Sequence, residues 1–245
     1  MIKETLKPLN EIINQNSFIL NVKNISLKLN NKFLLNKISL KILNNNFSFI
    51  MGPNGAGKTL LIKVIAGLIK PTYGEVIFNQ TVKLGFVSQK PVFLRRSVYQ
   101  NLYFALRFST FPDSMIKNRI YEITRLTKFD KFLDLPARKL SLGQQQLLSI
   151  IRALTVKPNT LILDEPCSNL DPNATSLIED LLLKAKESGV KIILVSHDLM
   201  QAKRLSDEVI FMHKGKIIEY SKKNFFFYNS KSREVSDYLR GKLLK

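Results

Sequence analysis

The stretch GPNGAGKT, residues 52–59, fits G-x4-G-K-[ST] in full. Gly52, Gly55 and Gly57 allow a tight turn that aims backbone N–H groups inward. Those amides, with the positive end of a following helix, bind phosphate oxygens. Pro53, Asn54 and Ala56 fill the other loop positions, and Leu60 follows directly. Lys58 is placed to reach the β- and γ-phosphates of a nucleoside triphosphate, and Thr59 to ligate Mg²⁺. A second constellation is LILDEP, residues 161–166, an apolar run ending in two carboxylates. As a buried strand it delivers Asp164 to the carboxyl edge of a sheet, beside the phosphate loop, to hold Mg²⁺ directly or through water. Glu165 then points at the γ-phosphate and polarises the attacking water. An Asp-Glu pair at a strand end is common on surfaces. The phosphate loop upstream makes this pair a candidate for chemistry.

The elements that position these groups read as alternating strands and helices. FILNVKNISLKL, KFLLNKISLKI and FSFIM are strand-like, with Asn-rich turns at 30–31 and 44–46. LLIKVIAGLIK after the loop has helical spacing, and 71–74 reads as a turn. EVIF and KLGFVS are two more strands. From Lys90 to Lys139, leucines and aromatics recur at helical spacing, which predicts a helical insertion. LGQQQLLSIIRAL and SLIEDLLLKAKES read as helices. VKIILVS, EVIFM and KGKIIEY read as strands, HDLMQAKRLS as a short helix, and SREVSDYLRGKLLK as a final helix. The pattern predicts an α/β fold with a mostly parallel sheet covered on both faces.

Composition narrows the setting. The 245 residues suit one large domain or a domain with an insertion. The single cysteine, Cys167, cannot form an internal disulfide, which fits a reducing compartment. The first seventeen residues lack the pattern of a secretory signal and read as a short extension. No apolar run is long enough for a membrane span, so the chain is expected to be cytosolic or held at a membrane by a partner. The formal charge of +19 favours anionic partners. The lysines are scattered without a dense basic block, however, and this reads as a solvated surface.

These motifs, in this order, resemble the ATPase subunit of ABC transporters, from about Phe18 to the C-terminus. Gln89 in FVSQKP stands where that family has its Q-loop glutamine, LSLGQ (140–144) where it has LSGGQ, SNLD (168–171) at the D-loop, and His197 in LVSHD at the switch histidine. The resemblance implies a P-loop NTPase (RecA-like) core with an N-terminal antiparallel β subdomain and an inserted α-helical subdomain over 90–157, the ABC domain covering 18–245. It implies ATP and Mg²⁺ as ligands. Glu165, His197 and Gln89 become catalytic, and Thr59, Gln89 and Asp164 metal-binding. The nucleotide would contact the 52–60 loop and, from a second copy, Ser141, Gly143, Gln144 and Asp171. Two copies would pair head to tail around ATP, beneath transmembrane permease subunits at the cytoplasmic face of the membrane, with a solute-binding protein and no specific nucleic acid.

Leu142 replaces the first glycine of LSGGQ while Ser141 and Gly143 remain, so the site is expected to be altered yet functional. A leucine there would be strained if the position needs φ > 0. Leu147 replaces an arginine, Cys167 a threonine, and Leu29 an aromatic that stacks on adenine; Phe33 lies nearby. Finer similarities in SQKPVFLRRSVYQNLYFALRF and in FF…YLRG (225–226, 238–241) look most like oxyanion importer ATPases, tungstate first, phosphate or molybdate more distantly. Two rivals are an ABC ATPase acting on nucleic acid or the ribosome, and a degenerate ATP-binding regulatory subunit. The short insertion and single phosphate loop speak against the first. Intact Lys58, Thr59, Gln89, Asp164, Glu165 and His197 speak against the second.

Overall fold

A computed structural model describes residues 18–44, 46–79, 81–109 and 111–242, so the first seventeen residues and Asn45 lie outside the described residues. The chain divides into two units: the described parts of Met1–Thr81 with Ile193–Lys245, and Val82–Ile192.

In the first unit, β1 (Phe18–Leu29) and β2 (Lys32–Leu43) form an antiparallel hairpin. Its two-residue loop has φ of 46° at Asn30 and 61° at Asn31. Asparagine tolerates this left-handed geometry, which matches the twist of paired strands. β4 (Tyr73–Phe78) joins the other edge of β1, giving the order β2-β1-β4. The expected turn at 71–74 therefore ends early. Gly74 lies inside β4 at φ 85°, and a Cβ there would strike the Lys23 and Asn24 carbonyls, so its glycine serves close strand approach.

The second sheet portion of this unit runs β7-β3-β8-β9. These strands are Lys191–Val195, Phe47–Met51, Glu208–His213 and Lys216–Lys222. β3 runs parallel to β8, and β9 returns antiparallel. Every residue of β3 and β7 is buried, as near-continuous apolar runs require. Buried Glu208 accepts from the Ser48 hydroxyl, the Tyr220 hydroxyl at 2.7 Å and Asn46 Nδ2 at 3.2 Å. Burial and this carboxylate push the Tyr220 phenol up.

α1 (Lys58–Ile65) is shorter than its apolar run, because Gly67 at φ 71° closes it and Leu68 N–H donates back to the Lys63 carbonyl. α6 (Leu199–Leu205) follows β7. The tail holds two helices where the sequence predicts one. α7 (Lys223–Asn229) precedes α8 (Arg233–Leu239). α7 has no side-chain cap; its anchor is Phe226, fully buried with its ring 6.0 Å from that of Phe211.

In the second unit, β5 (Leu84–Val87) runs parallel to β6 (Thr160–Asp164), and the first residues of β7 follow β6 in the sheet. The helices are α2 (Val98–Arg107), α3 (Asp113–Leu126), α4 (Leu142–Thr155) and α5 (Pro172–Glu187), with 3-10 turns at Asp130–Phe132 and Ala137–Lys139. The expected insertion is thus helical. α2 opens with a capping box in which Ser97 and Gln100 exchange hydrogen bonds at 3.2 Å. Buried Asn101 accepts from Leu94 N–H and donates to the Arg96 and Ser97 carbonyls, which fixes the loop before α2. Arg152 of α4 donates to the Val92 carbonyl at 2.8 Å and stacks over Phe93 at 4.9 Å. Burial pulls its pKa down from the usual guanidinium value. The segment after Gln89 is thereby tied to the helix that LSLGQ opens. Among the described residues no helix is long and apolar enough to cross a membrane.

Candidate functional site

In the first unit the phosphate loop joins buried β3 to α1 as the sequence predicts. Gly52, Gly55 and Gly57 have φ of 143°, 78° and 99°. A Cβ on Gly57 would lie 2.8 Å from Leu35 Cδ2 and 3.3 Å from the Leu34 carbonyl oxygen; one on Gly52 would strike the Met212 carbonyl. The first and third glycines are therefore held by β2 and β8, quite apart from any ligand. Gly57 caps α1 from the left-handed region and no side chain caps that helix, which leaves its first amides facing the loop's concavity. Ala56 N–H closes the loop on the Pro53 carbonyl at 3.2 Å, and Gly215 N–H donates to the Ala56 carbonyl at 3.0 Å.

Lys58 is 6% exposed. Its ammonium donates to the Gly52 carbonyl at 2.8 Å and the Pro53 carbonyl at 3.0 Å, a charge-assisted clasp across the loop. Thr59 sits in the first turn of α1, and Asn54 lies exposed at the loop's crest. His197 follows β7 on an exposed loop rather than inside the short helix read from HDLMQAKRLS; Asp198 caps α6 through Met200 N–H at 2.7 Å and Gln201 N–H at 3.0 Å. Leu29, where the resemblance expects a stacking ring, stands 60% exposed at the hairpin tip. Beside it the Lys28 ammonium lies 5.6 Å from the centroid of the half-exposed Phe33 ring.

The second unit holds the acidic pair. Asp164 ends β6 and is 5% exposed. Glu165 next to it has φ 45°, and Asn169 φ 62°, so the chain leaves the strand through two left-handed residues. Such strain persists where surrounding bonds determine the backbone. Here Ser168 supplies them: its hydroxyl and N–H donate to the Glu165 carbonyl at 3.0 and 3.2 Å. Exposed Gln89, just past β5, reaches the Ser168 hydroxyl at 3.5 Å. The structure thus brings Gln89 to the turn that carries Glu165, through a serine that the sequence reading assigns only to SNLD. The Asp171 carboxylate accepts from Ala174 N–H at 2.9 Å and caps α5.

LSLGQ proves to be a helix start. Ser141 is the N-cap of α4, at φ −62° and ψ 162°. Its hydroxyl accepts from Gln144 N–H at 3.3 Å while Gln144 Oε1 accepts from Ser141 N–H at 3.0 Å, a complete capping box. The S-x-x-Q spacing already carries that signal. Leu142 is the first helical residue, 68% exposed, and is absent from the described residues with positive φ. The strain considered for a leucine at this position does not arise. Gly143 carries a requirement the sequence hides: a Cβ there would sit 2.8 Å from the Cβ of Ala174 on α5. Gln146, three residues on, is buried with Nε2 unpartnered.

Unequal costs follow for these neighbouring residues. Leu142→Gly relieves nothing, and is expected to leave ATP turnover within about twofold and to cost up to about 1 kcal/mol of helix stability. Gly143→Ala overpacks the α4–α5 contact and is expected to cost about 1–3 kcal/mol. Denaturant unfolding of the two variants checks the pair.

The sequence profile of the ABC transporter family matches residues 35–168, from β2 through the phosphate loop, Gln89, LSLGQ and Asp164-Glu165 to Ser168. The chain belongs to the ABC transporter family. It is an ATP-binding cassette, the ATP-hydrolysing component. It is 32% identical to the phosphate import ATP-binding protein PstB of Borrelia garinii subsp. bavariensis over 265 aligned positions, which span 99% of both proteins. PstB of Mycoplasma capricolum subsp. capricolum is 35% identical over 84% of each chain. The spermidine/putrescine import ATP-binding protein PotA of Treponema pallidum is 34% identical over 76% of this chain and 52% of its own. Among solved structures, cbiO1 from Clostridium perfringens, part of the ABC transporter complex cbiONQ, superposes with a TM-score of 0.78 at 28% identity, covering 87% of this chain and 92% of that one. A dimeric ATP-binding cassette in a post-hydrolysis state bound to ADP and Pi gives 0.75 at 27% identity, covering 83% and 98%. The P-loop NTPase fold with an antiparallel N-terminal sheet, expected from the motifs, is therefore the fold of this ABC cassette.

Proposed function

We propose that this chain is the energy-coupling ATPase of an ABC importer for an oxyanion of the phosphate class. The observation that carries this reading is the near full-length likeness to PstB. Tungstate, the first expectation from the finer motifs, has no counterpart among these relatives, and phosphate takes its place. ATP phosphates lie on the amides of residues 52–60, with Lys58 on the β- and γ-phosphates. Among the described residues no group of three His, Cys, Asp or Glu side chains forms a ready metal cluster. Mg²⁺ keeps several waters, takes phosphate oxygens of its substrate and is held by one or two carboxylates rather than by a dedicated cage. Thr59, Asp164 and Gln89 offer the hard oxygens that fit it, and when bound it neutralises charge on the phosphates. Glu165 polarises water, and His197 contacts the γ-phosphate.

A second copy, paired head to tail, presents Ser141, Gly143 and Gln144 to the same γ-phosphate, with Asp171 holding its α5 in place. The helical stretch 90–157 faces the permease. Val92, Phe104 and Phe108 expose apolar surface there, suited to an amphipathic helix of a membrane subunit. The complex sits at the cytoplasmic face of the membrane and takes solute from a solute-binding protein. The test is uptake in cells whose only copy carries Glu165→Gln. Phosphate uptake is expected to fall to background with tungstate uptake unchanged. The reverse pattern would overturn the solute assignment, and no change in either would overturn the importer reading.

A further inference from the structure

The FF…YLRG segment forms α7 and α8 in the first unit, and both rest on one residue of β8. Phe211 is fully buried. The Phe226 ring lies 6.0 Å from it and the Tyr238 ring 5.0 Å, tilted by 58°. α8 is further fixed at both ends. Val235 N–H donates to the Ser232 hydroxyl at 3.3 Å, and Asp237 pairs with Lys242 at 3.0 Å, whose hydrogen bond holds that carboxyl below the usual carboxylate range. The position of the Tyr238 ring is thereby set by the core. Its hydroxyl donates to the main-chain carbonyl of His197 at 3.5 Å.

The other backbone bonds of that loop show what this contact adds. Ser196 N–H donates to the Ile50 carbonyl at 3.3 Å, one residue before β3 ends and the phosphate loop begins. Asp198 N–H donates to the Ser196 hydroxyl at 3.1 Å, and the Asp198 carboxylate caps α6. The loop is thus tied to β3 through Ser196 N–H and to α6 through the Asp198 carboxylate. The peptide group after His197 is held at both ends, by Asp198 N–H on the Ser196 hydroxyl and by the Tyr238 hydroxyl on the His197 carbonyl. Holding that peptide group restricts ψ at His197, one of the backbone angles that set where the Cα–Cβ bond carrying the imidazole points; χ1 and χ2 set the rest.

We propose that Tyr238 is a positioning residue for ATP hydrolysis. Its hydroxyl fixes the His197 peptide and so the direction in which the imidazole is held. This rests on the reading of His197 as the γ-phosphate contact. Packing on Phe211 needs only an aromatic ring, whereas the hydroxyl reaches the catalytic loop.

The test uses the full 245-residue chain. Tyr238→Phe keeps the ring and removes only the hydroxyl. Its kcat is expected to fall roughly 3- to 10-fold, with KM for ATP and Tm unchanged. The chain has two histidines, His197 and His213, so their ring proton signals separate cleanly by NMR. Mg²⁺-ATP added to the Glu165→Gln protein is expected to shift the His197 signal. Adding Tyr238→Phe is expected to remove at least half of that shift at equal ATP affinity. A full shift with unchanged kcat would overturn the positioning role, and so would a lowered Tm or weakened ATP affinity, which would mark a merely structural residue. Unchanged turnover in His197→Ala, with no nucleotide-induced shift of its signal in the parent protein, would instead remove the reading of His197, and the inference with it.

Discussion

Glu165→Gln is expected to cut steady-state ATP turnover by roughly 10²- to 10⁴-fold, the range over which a positioned general base acts. The replacement keeps the size of the side chain and loses its basicity. It leaves the backbone that shapes the turn alone: the Glu165 carbonyl still accepts from the Ser168 hydroxyl and N–H, and φ stays at 45°. ATP affinity is therefore expected to hold within about twofold, since the substitution removes a contact to the attacking water and none to the triphosphate. Turnover from initial-rate phosphate release, set beside equilibrium binding of a fluorescent ATP analogue, separates the two effects. The dimer should persist in ATP, because the nucleotide joining the copies is no longer consumed. Size-exclusion chromatography with ATP is then expected to show a dimer for Glu165→Gln and a monomer for the unsubstituted protein. Retained turnover would move the catalytic base elsewhere.

Lys58→Met should act at the opposite end of the same measurement. The Lys58 ammonium spans the Gly52 and Pro53 carbonyls and stands next to the loop amides. Removing it loses two charge-assisted hydrogen bonds and a positive charge beside the phosphates. Those two bonds lie within the loop and bear on its stability. What ATP loses is the ammonium's own contact with phosphate, about 1.5–3 kcal/mol for a hydrogen bond to a charged group, or roughly 10- to 100-fold in affinity. The fold should survive. β3 is buried on its own account and the glycines keep their conformations through Leu35 and Met212. Equilibrium binding combined with thermal unfolding checks both statements. Lost affinity together with lost folding would mean that the clasp is a structural device first.

The sequence discloses the phosphate loop and the acidic strand because their chemistry needs consecutive residues. G-x4-G-K-T can be read as one piece, and LILDE carries both its burial and its carboxylates. What it cannot disclose is set by neighbours distant in the chain. Leu142 looks strained beside a glycine-rich pattern, yet its backbone is helical and its side chain exposed, and that depends on Ser141 and Gln144 closing a cap. Gly143 reads as a phosphate contact, while Ala174 on α5 independently demands a glycine there. Asp171 reads as part of a nucleotide motif, and the structure gives its carboxylate to α5. Gly74 reads as a turn until β4 is seen pressing on β1. α7 escapes notice because a short FFFY run offers neither a cap nor a full helical period, and only the buried Phe226 fixes it. The contact of Tyr238 with His197 spans 41 positions, a separation that no local pattern encodes.

The most direct test of the account is Mg²⁺-ATP turnover per chain, measured with purified protein over a wide range of protein concentrations. If LSLGQ is a working signature that completes the partner's ATP site, turnover per chain rises with concentration to a plateau, and Ser141→Ala lowers that plateau. A turnover per chain that is independent of concentration and indifferent to Ser141→Ala would contradict the account, and would leave the phosphate loop acting alone.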